Sequence, residues 1–233
     1  MSRLKWVALI IVLLACGLLL PCSQEVRDDP GWVRSAVSLH KIGLALRAYH
    51  ENNGRLPPAV VHDGDGRPLY SWRALLLPYL EEDALYQQFK LDQPWDSHHN
   101  RRLLEPTPRS YVPALGGKDG PGLTRYQVLV GRGTAFERDG LCWDDFPKGL
   151  SDTFLVVEAG EPVPWSKPAD LTYDPAGPLP ALGGPYGRPV RCLPYDLWHT
   201  PGFNACLADG STRFIPSDTD KETLRGLITR RQP

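Results

Sequence analysis

The stretch "HTPGFNACLADGSTRFI", running from His199 to Ile215, decides how the C-terminal half of the chain is read. Nine residues separate His199 from the pair Asp209-Gly210, a His-x9-Asp-Gly spacing that suits either a histidine–aspartate dyad or a strand and a turn. The local pattern favours the second. Phe203, Ala205 and Leu207 alternate with Asn204, Cys206 and Ala208, the two-residue period of a strand. Asp-Gly then supplies a two-residue hairpin signal, because a type I′ turn needs positive φ at both central positions. Thr212 and Phe214 alternate with Arg213 and Ile215, so a second strand returns. Ten residues of extended chain span roughly 33 Å. His199 and Asp209 can therefore meet only if Pro201-Gly202 folds the chain back.

Outward from this hairpin, the chain is β and loop back to Tyr111. "RYQVLVGRG" reads as a strand ended by glycines, and Thr153 to Ala159 as another. Gly149-Leu150-Ser151 is no nucleophile elbow, since Thr153 holds the place of the last glycine. Pro162 to Pro189 is Pro/Gly-rich and reads as a long ordered loop, because strands resume after it. The 24 prolines are about twice the usual share and demand such loops, since proline removes a ladder donor and ends helices.

The N-terminal half is helical in pattern. An amphipathic helix is expected over about residues 31–53, with Trp32, Val33, Ala36, Leu39, Ile42, Gly43, Leu46 and Tyr49 on its apolar face. Asn52, Asn53 and Gly54 cap it, and Pro57-Pro58 forbids continuation. His40 and His50 on this helix read as surface or interface residues. "HDGDGRPLYSW" fails as a calcium loop, because Arg67 and Ala74 occupy positions that need oxygen ligands. "SWRALLLPYLEEDALYQQF" reads as a helix broken at Pro78. His98 and His99 sit near Asp92 and Asp96, yet adjacent helical residues point about 100° apart. A cap at Asp96 or Ser97 for a short helix is the simpler reading there.

The first 21 residues form a separate unit, and residues 22–233 form the body. Arg3 and Lys5 precede an apolar run from Trp6 to Leu20, Pro21 stops it, and Glu25, Asp28 and Asp29 follow. Positive charge before the run predicts an N-in signal anchor in the cytoplasmic membrane, with the body in the periplasm. Lipidation at Cys16, in "LLAC", and a cleaved signal peptide are the alternatives. Export would permit a disulfide among Cys142, Cys192 and Cys206, whose pairing the spacing leaves open. None shows Cys-x-x-Cys spacing, so no metal and no cofactor is expected. A net charge of −1 without a basic stripe argues against nucleic acid.

Taken together, "LHKIGLALRAYHENNGRLPPA", "SWRALLLPYLE", "LDQPWDSHHNRRLLE", "GRGTAF", "GLSDTFLVVEAGE" and "FNACLADGSTRFI" resemble a large paralogous planctomycete family of unknown function, with a prepilin-like N-terminus and a C-terminal His-x9-Asp-Gly signature. The resemblance implies a pseudopilin-like α+β fold: a long N-terminal helix, membrane-embedded at its start, packed on an antiparallel sheet with long Pro/Gly-rich loops. His199, Asp209 and Gly210 match the signature position by position. No catalytic residue is established for the family, so the resemblance implies none here and a structural role for these three. The chain departs from the family at its start. No glycine cleavage site precedes the apolar run, and no glutamate sits inside it. A charged group in such a helix needs a partner and so sets assembly register, and here there is none. The expectation is a non-enzymatic, singly anchored envelope protein with structural or interaction partners, neither trimmed by a prepilin peptidase nor built into a filament. The alternatives are a binding module for peptide or carbohydrate, with Trp165, Tyr173 and Tyr186 lining a groove, and a hydrolase using His199 or the His98-His99 region.

Overall fold

A computed structural model describes residues 30–113, 119–183 and 201–231. The anchor segment with Cys16 and Cys22 lies outside these residues, as do Tyr186, Cys192 and His199. No helix among the described residues is long and apolar enough to cross a membrane.

The body is α+β. Helix α1 (Pro30–Asn53) precedes a small hairpin, β1 (Val60–His62) with β2 (Pro68–Ser71). Two short helices follow, α2 (Trp72–Leu75) and α3 (Asp83–Gln88), with a 3-10 turn over Leu77–Leu80 between them. Pro78 in that turn makes the expected break, since proline cannot supply the missing helical donor. The main sheet takes β3 (Leu123–Gln127), β5 (Phe154–Pro164), β7 (Gly202–Leu207) and β8 (Thr212–Pro216), antiparallel and in that spatial order. The short strands β4 (Leu129–Val130) and β6 (Leu171–Thr172) pair in parallel and fasten the Pro/Gly-rich loop. Helix α4 (Lys221–Ile228) closes the described chain.

Both faces of the main sheet are covered. Leu39, Ile42 and Leu46 of α1 pack with Leu155, Val156 and Cys206 on one side. Leu227 and Ile228 of α4 pack with Phe154, Val157, Phe203, Ala205 and Leu207 on the other. The alternation after His199 is the pattern of a strand with one face toward water, but every residue of β7 is buried. The alternation is real, but α4 covers the face that would otherwise meet water. The Lys148 ammonium donates to the carbonyls of Gly226 and Thr229, so a cation sits at the C-terminal end of α4 where the helix dipole favours it.

Helix α1 stops as expected. Gly54, at φ +70°, returns its N–H to the His50 carbonyl at 2.7 Å. Its inward stripe is not the one expected at the N-terminal end. Ser35, Leu39, Ile42 and Leu46 face the sheet, while Trp32 and Val33 are 44% and 48% exposed. The helix turns a small hydroxyl inward, and the reason lies on β5: the carboxylate of Glu158 accepts from the Ser35 hydroxyl.

Candidate functional site: the helix–hairpin junction

The signature residues within the described part of the chain sit where α1 crosses the β7–β8 turn. The hairpin stands as read, but its turn differs from type I′. Leu207 donates to the Ser211 carbonyl at 2.8 Å, so Ala208, Asp209 and Gly210 form a three-residue loop. Of these three only Gly210 has positive φ, at +85°. A three-residue loop of this kind closes with one left-handed residue, whereas type I′ needs two. Asp209 is spared the left-handed region and acts through its carboxylate instead. Its Oδ1 accepts from the Ser211 N–H at 2.8 Å and the Ser211 hydroxyl at 2.6 Å. Partial burial works to raise the Asp209 pKa. Those hydrogen bonds and one from the Ser151 hydroxyl outweigh it, so the carboxyl titrates below its ordinary range.

The backbone of the turn holds the helix. Arg47 Nη1 donates to the Asp209 carbonyl at 2.8 Å. His40 Nδ1 lies 3.1 Å from the Gly210 carbonyl. Between these two contacts, one turn of helix apart on either side, stands Gly43. A Cβ there would meet Cys206 Sγ at 2.5 Å, with Gly210 Cα at 3.4 Å. The glycine lets helix and hairpin approach at backbone distance. Burial behind it pushes the Cys206 thiol up to about 12, so this sulfur packs as an inert apolar group. Cys142 and Cys206 are both free thiols.

A second polar group, missed in the sequence reading, fixes the other end of α1. Glu158 is 1% exposed in the middle of the sheet. Besides Ser35, it accepts from the Asn204 N–H at 2.7 Å. Asn204 Nδ2 donates to the Trp32 carbonyl at 3.0 Å, and the Tyr126 hydroxyl lies 3.3 Å from Ser35 Oγ. Burial pushes Tyr126 up to about 12, so it stays a neutral donor. The signal was present in "FLVVEAG", where Glu158 follows four large apolar residues inside a strand.

The other candidate sites do not assemble chemistry. His99 Nε2 lies 2.8 Å from the Gln88 carbonyl and His98 Nε2 lies 2.9 Å from Arg102, so the adjacent histidines serve separate partners. Ser97 Oγ accepts from the Asn100 N–H at 3.2 Å, but the expected cap is not formed: the segment is a 3-10 turn over Asn100–Leu103 whose N-cap residue is His99, with no side-chain cap. Among the described residues no group of three His, Cys, Asp or Glu side chains could hold a metal ion. Trp165 and Tyr173 do not line a groove. They are 0% and 3% exposed, because the loop that carries them folds onto the core. Trp165 stacks on Tyr111 at 6.3 Å between centroids, and Tyr173 packs with Leu129 and Phe203.

Comparison with known families reaches part of this architecture. Residues 35–115 match a family described as a protein of unknown function (DUF1559). The matched stretch begins at Ser35 and takes in most of α1, the β1–β2 hairpin and both short helices, and it ends before the main sheet. No curated protein and no solved structure matches the chain.

Proposed function

We propose that this is a non-enzymatic, singly anchored protein of the cell envelope with a pseudopilin-like body facing the periplasm. The observation that carries the reading is how the polar groups of the signature are engaged. The carbonyls of Asp209 and Gly210 are taken by Arg47 and His40, and the Asp209 carboxylate by Ser211. A catalytic aspartate needs its oxygens free for substrate or for a base that it orients. Here Asp209 Oδ1 closes the turn on Ser211, and the backbone carbonyls of the turn hold a long helix to a sheet. The apolar run from Trp6 to Leu20, with Arg3 and Lys5 before it, supports the anchor. That the run carries no charged residue supports a single anchor over a packed filament.

Topology tests the reading directly. A reporter that is active only outside the cytoplasm, fused after Pro233, is expected to be active in cells carrying the full chain. Reporter activity confined to the cytoplasm, or full-length protein in the soluble fraction, overturns it.

A further inference from the structure

Helix α1 has a face that the fold does not use. Opposite the buried stripe of Ser35, Leu39, Ile42 and Leu46 lie Val33, Val37 and Leu44, which are 48%, 51% and 51% exposed. Their spacing of four and seven residues keeps them on one line of the helix. Arg34 and Lys41, both exposed and seven residues apart, flank this line on one side. Arg47 flanks it on the other, where it also holds the Asp209 carbonyl. Against these three bases the helix sets a single carboxylate, Glu51, in its last turn. Trp32, 44% exposed, extends the apolar surface to Phe214 on the edge strand β8, with the two rings 6.4 Å apart and edge to face.

We infer that this outer face of α1 lies on the surface of an anionic bilayer, its valines and leucine at the headgroup boundary and its flanking bases toward lipid phosphates. The inference rests on the anchored reading above. Two observations choose the bilayer as occupant. Only nine residues separate Leu20, the end of the apolar run, from Pro30, the start of α1. Nine residues reach at most about 32 Å, so an anchored chain holds the start of the helix near the membrane. The charge is complementary, since basic side chains beside an apolar line are the composition of helices that lie in the interface of anionic membranes. A second copy is the other obvious occupant, and area alone does not separate the two. The five exposed apolar side chains present roughly 400 Å², close to the apolar share of the about 800 Å² that a stable dimer buries on each partner. What separates them is the tether, because the anchor presents the bilayer at high effective concentration.

The test uses the full chain reconstituted into vesicles of phosphatidylcholine and phosphatidylglycerol at three to one. An environment-sensitive fluorescent amino acid replaces Val37 or Leu44 in turn, with exposed Gln87 of α3 as the control position. Acyl chains brominated near the headgroup are the quencher. The chain is expected to float with the vesicles, and the probes at residues 37 and 44 to be quenched at least threefold more than the probe at 87. Arg34→Gln/Lys41→Gln, which leaves the Arg47 contact in place, should reduce that difference at least twofold, as should vesicles of phosphatidylcholine alone. Flotation without selective quenching overturns the inference and leaves the anchor standing. So does shielding of the probes from aqueous iodide without lipid quenching, which would place a protein on this face. A chain that does not float overturns the anchored reading and this inference with it.

Discussion

Two contacts hold the main sheet in place, and they do so by opposite means. At the helix–hairpin junction, α1 is held by backbone carbonyls and by a glycine that allows close approach. Across the core, the Pro/Gly-rich loop is held by a buried ion pair. Arg73 Nη2 lies 2.7 Å from Asp170 Oδ1, with side chains 0% and 3% exposed. The same oxygen accepts from Trp72 Nε1 and from the Val128 N–H. Arg73 also donates to the Tyr126 carbonyl and the Ser71 hydroxyl, and its guanidinium lies 4.7 Å from the centre of the Trp72 ring. The junction needs shape and the knot needs charge. Shape can be lost in part, whereas a buried charge without its partner is costly in full.

That contrast orders the expected losses. Asp170→Asn leaves the Arg73 guanidinium buried and unpaired, and should cost about 3–5 kcal/mol in denaturant unfolding. Arg73→Met/Asp170→Asn removes both charges while keeping an oxygen for Trp72 and Val128, and should recover at least half of that loss. A double variant as weak as the single would show that the hydrogen bonds, and not the charge, hold the loop.

At the junction the expected loss is smaller and has a different remedy. Gly43→Ala pushes a methyl into Cys206 Sγ and should cost about 1–3 kcal/mol through displacement of the helix. Cys206→Ala removes the obstructing sulfur. The pair should show a favourable coupling of about 1 kcal/mol or more in a double-mutant cycle. Additive losses would mean that the backbone of Gly210, 3.4 Å from the added Cβ, is the real barrier.

Smaller still is the turn itself. Gly210→Val forces a β-branched residue to φ +85° and should cost about 1–2 kcal/mol, read as a fall in Tm. Gly210→Asn should lose less, since asparagine tolerates the left-handed region. Equal Tm values for both variants and the parent would remove the turn from the set of contacts that fix α1.

The two contacts also differ in how far the sequence discloses them. The junction is written locally. Alternation on either side of Asp209-Gly210 gives the strands, and Asn53-Gly54 before Pro57-Pro58 gives the end of the helix. What local pattern missed was the loop length, because Asp-Gly suits both the two-residue and the three-residue turn. The knot joins residues 97 apart, and neither partner has a periodic or motif signature. Nothing in "SWRALLL" says that Arg73 is wholly buried, since arginine on a short helix is usually solvated. Trp165 misled for a related reason, as an aromatic in a Pro/Gly-rich loop looks exposed until the loop is seen to fold inward. Helix α4 was legible but went unread. Asp220 caps it through the Thr223 N–H at 2.8 Å, and Leu224, Leu227 and Ile228 recur at helical spacing.

A histidine one helical turn beyond Arg47 gives the finest test of the contrast. His50 stacks on Trp143 at 4.6 Å between centroids, and its Nε2 accepts from the Trp143 backbone N–H, 3.4 Å away. Burial, with some help from Arg47, lowers its pKa from the ordinary 6.5, against the pull of Glu51 and Asp144. The folded state therefore binds a proton less readily than the unfolded chain. The stability contributed by neutral His50 is complete above about pH 6.5 and is lost as pH falls through that value, ending below the folded pKa. Protonation also converts Nε2 from acceptor to donor and breaks the bond from Trp143. Asp209 titrates in a separate window. Its lowered pKa means that its contribution persists until pH falls below the ordinary 3.8. The Tm of the parent should thus decline between pH 7.5 and 5.0, and His50→Gln, which keeps a neutral acceptor for Trp143, should flatten that decline. A slope unchanged in His50→Gln would assign the sensitivity to another group, with Asp170 of the knot the first to test, since burial raises its pKa above the ordinary carboxylate value and sets its contribution against that of His50.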